Sequence, residues 1–255
     1  MKSLAENATI TTSTFYRPDV EGDRIRSKLA IETVRSAVDG GYSVVVVDEG
    51  SSDEVCGELK KYGAHLFRSE KKGMGNSRRQ SIREAGLLGR PIIAYLDPEK
   101  QPFVEHMEKT LVPLLEGRAD MVVGGRTSLA SYPLEQQLAE QLGNAFWKSL
   151  TNMNFDVWCG QRTWKRELSD YFLNYQGEYG DRWDCIFIPL LRAVHANEKV
   201  IGINVNYQHP SEQTNHEEGN ILFVRKRLEQ LATLTKSLDA EWTRLNGLNK
   251  DKNIL

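Results

Sequence analysis

The sequence predicts an α/β fold: a mostly parallel sheet with helices on both faces, plus a further helix at the C-terminus. Three observations predict it. Short apolar strands alternate with segments of helical periodicity across short turns, the pattern of right-handed crossovers in a parallel sheet. Ser43 to Val47 is a continuous valine run, as in a strand buried on both faces. Charged residues collect where strands end, at Asp48 and Glu49, at Asp97 and Glu99, and at Arg126, which is where such sheets hold their ligands.

Taken in order, Ala8 to Thr14 alternates short β-formers and opens the sheet. Asp23 to Asp39 carries Ile25, Leu29, Ala30, Val34, Ala37 and Val38 at helical spacing and stops at Gly40-Gly41. The valine strand ends in Asp48-Glu49-Gly50-Ser51-Ser52-Asp53, a turn that offers N-caps to the next helix. His65 to Arg68 reads as a short strand, Asn76 to Gly86 as a helix after Gly73-Met74-Gly75, and Pro91 to Leu96 as a buried strand ending at Asp97. Phe103 to Leu115 reads as one helix, and Met121 to Val123 as a strand closing at Gly124-Gly125-Arg126. The second half is less regular: a helix from Leu134 to Leu150, an irregular or extended Phe155 to Thr163, a helix from Asp184 to His195, and a strand from Lys199 to Tyr207. Gln208 to Asn220 is polar and loop-like. Leu222 to Leu248 is a last helix with Leu228, Leu231, Leu234, Leu238, Trp242 and Leu245 on one stripe, a packing face within the chain or toward a second subunit.

Composition narrows the function classes. With 33 basic and 35 acidic residues in 255, the net charge is -2, which argues against a protein committed to nucleic acid. No apolar run approaches the ~20 residues of a membrane span, so no transmembrane segment is expected. Cys56, Cys159 and Cys185 are far apart and form no metal-type pair, and a cytoplasmic setting is the expectation.

The key segment for chemistry is Tyr95-Leu96-Asp97-Pro98-Glu99. Two carboxylates one residue apart, just past a buried strand, can turn toward one hard cation; Mg²⁺ or Mn²⁺ commonly binds one or two carboxylates together with substrate phosphates. Such an ion would neutralise charge growing on a leaving diphosphate. An acidic turn that only caps the next helix is the alternative.

Other segments add to it. Val45-Val46-Val47-Asp48-Glu49-Gly50-Ser51-Ser52-Asp53 resembles the strand and turn of GT-A-type, family-2-like glycosyltransferases, written VVDDGSxD. Lys72-Gly73-Met74-Gly75-Asn76-Ser77-Arg78-Arg79 resembles the basic loop that follows in that family, and Ala119 to Arg126 its ADxVxGSR strand. Asp156 to Arg166 is similar to a segment of polyprenyl-phosphate sugar synthases, while a His after a late strand, as in Tyr207-Gln208-His209-Pro210, resembles glucosyl-3-phosphoglycerate synthase-like enzymes. The matches run in family order over roughly residues 8 to 210. The resemblance implies a GT-A (Rossmann-like) domain over 1–220, with a donor half at 1–126 and an acceptor half at 127–220. Residues 221–255 would be a helix packing on that domain or on a partner subunit in a homodimer.

It also implies roles. Thr14, Asp48 and Glu49 would meet the nucleoside; Lys72 and Arg79 would face the diphosphate, with Arg126 and Arg162 also on the donor and Lys165 beside them. Asp97 and Glu99 would hold ribose or metal, with His209 as a third metal ligand in competition with His216. Asp181 or Asp184 would be the carboxylate that takes the acceptor proton. Trp158 and Trp183 would stack on a sugar or nucleoside, or simply fill the core. His65, His106 and His195 show no partner in the sequence. Two departures stand out: Glu99 replaces the commoner second Asp of DxD, and Glu49 the second Asp of DDGS. The implied activity is metal-dependent transfer of a sugar from a nucleotide-diphosphate sugar to a small or phosphorylated acceptor. The rivals are a nucleotidyltransferase of related fold, disfavoured because Thr11 to Arg17 contains no glycine, and a non-catalytic nucleotide-sugar- or carbohydrate-binding module.

Overall fold

The computed structural model of the protein describes residues 4–247. The last helix expected to reach Leu248, and the segment on to 255, therefore fall partly outside the described residues. In chain order the elements are β1 (Ala8–Thr14), α1 (Glu21–Asp39), β2 (Ser43–Asp48), α2 (Asp53–Lys61), β3 (His65–Arg68), α3 (Met74–Leu87), β4 (Ile92–Tyr95), α4 (Gln101–Val104), α5 (Met107–Leu115) and β5 (Met121–Arg126). They continue as α6 (Leu134–Thr151), β6 (Arg162–Lys165), α7 (Asp170–Leu173), α8 (Asp184–His195), β7 (Val200–Val205), α9 (Ser211–Glu217) and α10 (Ile221–Leu245).

The strands form one seven-stranded sheet in the order β3-β2-β1-β4-β6-β5-β7. Only β6 runs against its neighbours, pairing antiparallel with β4 and β5, so the other six point the same way. Because strand side chains alternate between faces, the valine run of β2 feeds two cores. Val45 joins Ile93, Tyr95 and Val123 in the cluster under α3, α6, α8 and α10, whereas Val44 and Val46 join Ile10, Ala94 and Val122 in the cluster under α1 and α5. The expectation of an α/β sheet covered on both faces is met.

The stripe on α10 packs within the chain. Leu231, Leu234, Leu238, Trp242 and Leu245 all join the first cluster, with α10 lying against α6 and α8; Leu228 alone is left 59 % exposed. Glu241, on the same helix, is completely buried and closes an ion pair with Arg192 of α8 at 2.6 Å.

Three expectations are corrected. Phe103 to Leu115 is two helices, because His106 takes a non-helical conformation at the start of α5 (φ -108°, ψ 1°). That residue is also not partnerless: its Nε2 lies 3.0 Å from the Asn206 carbonyl oxygen. The polar stretch Gln208 to Asn220 contains α9, whose Gln213 and Glu217, four residues apart, are both buried. Their burial is polar, so hydrophobic periodicity does not reveal it.

Candidate active site

The six co-directional strands bring their carboxyl ends to one side of the sheet, and a cavity of about 460 Å³ opens there. Residues just after β1, β2, β4 and β7 line it, and α1, α3, α6, α8 and α10 supply its walls. This is the position at which open α/β sheets bind ligands.

The turn after β2 is built around Asp48. Its carboxylate accepts from the backbone N–H groups of Gly50 and Ser51 at 2.9 Å each, from Thr14 Oγ1 at 2.8 Å and from Arg68 Nη1 at 2.5 Å. With only 1 % of its surface exposed, Asp48 is a saturated internal anchor and does not line the cavity. Its neighbours Thr14 and Glu49 do line it. Glu49 also accepts from the Gly73 N–H at 2.9 Å, tying the basic loop to the turn.

Asp97 and Glu99 follow β4 and both line the cavity. The Asp97 side chain is 31 % exposed, with Arg78 and Lys100 each 4.0 Å away. It lies against Gly160, whose φ of +85° favours glycine; a Cβ there would stand 2.5 Å from Asp97 Oδ2, so a larger residue would displace the carboxylate. Lys100 donates to the Cys159 carbonyl and is thereby held beside Asp97. Glu99 accepts from the Tyr16 hydroxyl at 3.0 Å. Burial pushes its carboxyl above the ordinary range, with Arg26 pulling the other way.

His209, after β7, lines the same cavity and stacks on Tyr132 with ring centroids 4.0 Å apart. Neither ring nitrogen has a hydrogen-bond partner, and Nε2 stands 3.8 Å from Glu217. Burial holds the imidazole below its ordinary pKa despite Glu217, so the ring is neutral near pH 7. Two carboxylates and a neutral imidazole with free nitrogens are a donor set that suits a divalent ion. The three are not gathered as the sequence implied: among the described residues no three His, Cys, Asp or Glu groups stand close enough to share one ion. Glu99 is engaged by Tyr16, and His209 sits against Tyr132 and Glu217. His216 is elsewhere, packed on Gly22, where an added Cβ would meet its Nε2 at 2.7 Å.

The remaining expected site residues are held by other parts of the protein. Arg79 grips Asp181 with two hydrogen bonds, at 2.5 and 2.7 Å, and neither residue lines the cavity. Gly75 makes room for that pair, since a Cβ on it would lie 1.9 Å from Asp181 Oδ1. Asp184 is fully buried at the start of α8, accepting from the Asp181 and Arg182 N–H groups and the Tyr175 hydroxyl. Arg126 is locked between Glu140 at 2.5 Å and Asp156 at 2.7 Å. Arg162, also fully buried, donates to the carbonyls of Gln161 and Val157. Lys165 pairs with Asp120 at 2.6 Å, and Lys72 is exposed outside the cavity lining. Trp158 and Trp183 serve both expectations: each is 7 % exposed, belongs to the core and borders the cavity.

Sequence reading missed the wall formed by Arg26 of α1 and Lys226 and Arg227 of α10, all of which line the cavity. The consecutive basic residues Arg225-Lys226-Arg227 were visible, but their helix reads as a packing element through its leucines.

Known proteins agree with this architecture. The solved structure of glucosyl-3-phosphoglycerate synthase from Mycobacterium tuberculosis is similar over 99 % of this chain and 85 % of its own, at TM-score 0.62 and 16 % identity. Its complex with uridine diphosphate gives TM-score 0.64 at 16 % identity over 98 % of this chain and 83 % of that one. Another complex, with Mn²⁺, uridine diphosphate and glucosyl-3-phosphoglycerate, gives 0.60 at 16 % identity, covering 98 % and 83 %. At such identity the likeness is one of fold. An uncharacterised protein of Methanocaldococcus jannaschii is 30 % identical over 119 residues, 46 % of this chain, and the chain matches about half (49 %) of that relative's length. The family model for Glycosyl transferase family 2 matches residues 26–170, more than half of the chain. The chain belongs to glycosyl transferase family 2 and has a GT-A-like fold.

Proposed function

We propose that the protein transfers a hexosyl group from a nucleotide-diphosphate sugar to a small, phosphorylated acceptor, with Mg²⁺ or Mn²⁺ held by Asp97, Glu99 and His209. The observation that carries the reading is that these three side chains all line one cavity at the carboxyl ends of the strands, although they are not gathered around a single point. The likeness to a fold that holds uridine diphosphate and Mn²⁺ in a relative supports it.

The ion, when bound, supplies positive charge to the departing diphosphate. The protein's own residues do the rest. Thr14 and Glu49 border the nucleoside end of the cavity, positioned by the saturated Asp48 turn. Tyr16 orients Glu99, and Lys100 and Arg78 keep positive charge within 4.0 Å of Asp97. Trp158 and Trp183 present apolar surface on which a sugar face can stack, and they exclude water from the reacting centre.

The test is hydrolysis and transfer with UDP- and GDP-sugars plus Mn²⁺, using phosphoglyceric acid as acceptor. One donor should turn over in the wild type, and turnover should vanish with chelator and in Glu99→Ala. Equal turnover of that variant with and without chelator would remove the metal assignment, and no turnover of any donor would remove the reading as a whole.

A further inference from the structure

The α1–α10 wall of the cavity holds three cations, Arg26, Lys226 and Arg227, of which only Arg26 closes an ion pair among the described residues. Arg26 pairs with Glu217 at 2.8 Å, and that carboxylate also accepts from Gln213 at 3.0 Å. Arg227 donates to Gln230 at 2.9 Å and lies over the Phe223 ring at 4.5 Å, but its Nε is buried without a partner. Lys226 forms no hydrogen bond or ion pair among the described residues. The nearby Glu140 is not available to either, since it is bound by Arg126 at 2.5 Å and by Gln136 at 2.6 Å. Neither cation of α10 closes an ion pair among the described residues, although Glu217 acts on both from a distance.

A partly desolvated cation without a counter-ion costs stability. Burial, with Arg26 and Arg227 adding to it, pushes the Lys226 ammonium down to about 8 against the pull of Glu217 and Glu99. Meanwhile the cations the sequence assigned to phosphate are not in the cavity: Arg79 is neutralised by Asp181, and Lys72 lies outside the lining.

We propose that Arg26, Lys226 and Arg227 form the phosphate-binding subsite of this enzyme, gripping a phosphoryl group that enters the cavity. The group is either the terminal phosphate of the nucleotide donor or the phosphate of the acceptor, since both present the same oxyanion chemistry to guanidinium and ammonium donors. The proposal rests on reading the cavity as a nucleotide-sugar site. It also gives α10, which lies outside the residues matched by the family, a role in binding in addition to packing.

Calorimetric titration of the full chain separates the possibilities. UDP with Mn²⁺ and phosphoglyceric acid are titrated into wild type, Lys226→Ala, Arg227→Ala and the charge-keeping Lys226→Arg, with melting temperatures as a fold control. Lys226→Ala removes no hydrogen bond, so it should fold normally. Loss of about one good charge-assisted contact should weaken binding roughly tenfold in each alanine variant, with recovery in Lys226→Arg. Weakening confined to UDP makes the donor the source of the phosphate, and weakening confined to phosphoglyceric acid makes it the acceptor. Unchanged affinity for both ligands in folded variants overturns the subsite while leaving the donor reading intact. A wild type that binds neither ligand refutes both.

Discussion

Two sets of cations lie near the carboxyl end of the sheet, and the fold treats them in opposite ways. Arg126 and Arg79 are closed off by carboxylates, the first by Glu140 and Asp156 and the second by both oxygens of Asp181. Lys226 and Arg227 line the cavity and close no ion pair among the described residues, with Glu217 acting on both only from a distance. A closed pair holds elements together; an open cation can hold a ligand. The motif-bearing cations Arg126 and Arg79 are thus held inside the fold, whereas the proposed phosphate subsite lies on a helix that motifs do not mark.

The largest effect is expected at the most buried closed pair. Arg126→Met leaves Glu140 and Asp156, 3 % and 10 % exposed, without their cation. The expected loss is about 3–5 kcal/mol by chemical denaturation, and a near-normal midpoint would show that the pair is not structural.

Next is Glu241, completely buried under Arg192 and Arg244. Burial acts to raise its carboxyl, but Arg244, Arg192 and Tyr179 together bring it down to about 2. Its folded pKa is therefore below its unfolded value of about 4.3, so its contribution is complete above that value and is lost as pH falls toward 2. Glu241→Gln should cost about 2 kcal/mol at pH 7, discounted for the exposure of Arg244, and the difference from wild type should shrink in acid. A difference that is constant from pH 7 to pH 3 would contradict this.

Asp181→Asn probes the second closed pair. With Asp181 engaged by Arg79, the structure predicts a stability loss of about 1 kcal/mol and turnover lowered less than about tenfold, because a general base is worth about 10²–10⁴. A kcat collapse beyond that range at unchanged KM would return Asp181 to the chemistry. The smallest effect belongs to the open set: Lys226→Ala should leave the melting midpoint within about 0.5 kcal/mol of wild type or raise it. Clear destabilisation would mean that Lys226 has a structural partner.

Much of the fold was legible because β2, β4 and α8 are apolar enough to announce themselves, with Asp184–His195 read at its observed bounds. The antiparallel β6 was not, since four residues bounded by irregular chain give no periodicity. Helix α9 was hidden because its inward residues, Gln213 and Glu217, are polar. At the site, the strand-end rule located the cavity and put Thr14, Glu49, Asp97, Glu99 and His209 on its lining. What sequence could not show is pairing. That Arg79 meets Asp181, 102 positions away, and that Lys226 closes no ion pair among the described residues, depends on tertiary neighbours.

The proposed role of the acidic and imidazole groups past β4 and β7 is to let a divalent ion grip a nucleotide diphosphate in this cavity. Its most direct test is the affinity of UDP and GDP measured with and without Mn²⁺, in wild type and in Asp97→Asn. One nucleotide should bind at least about tenfold tighter with the ion in wild type, a coupling of about 1.4 kcal/mol, and the variant should lose that gain. Identical affinities with and without Mn²⁺ in wild type would contradict the account.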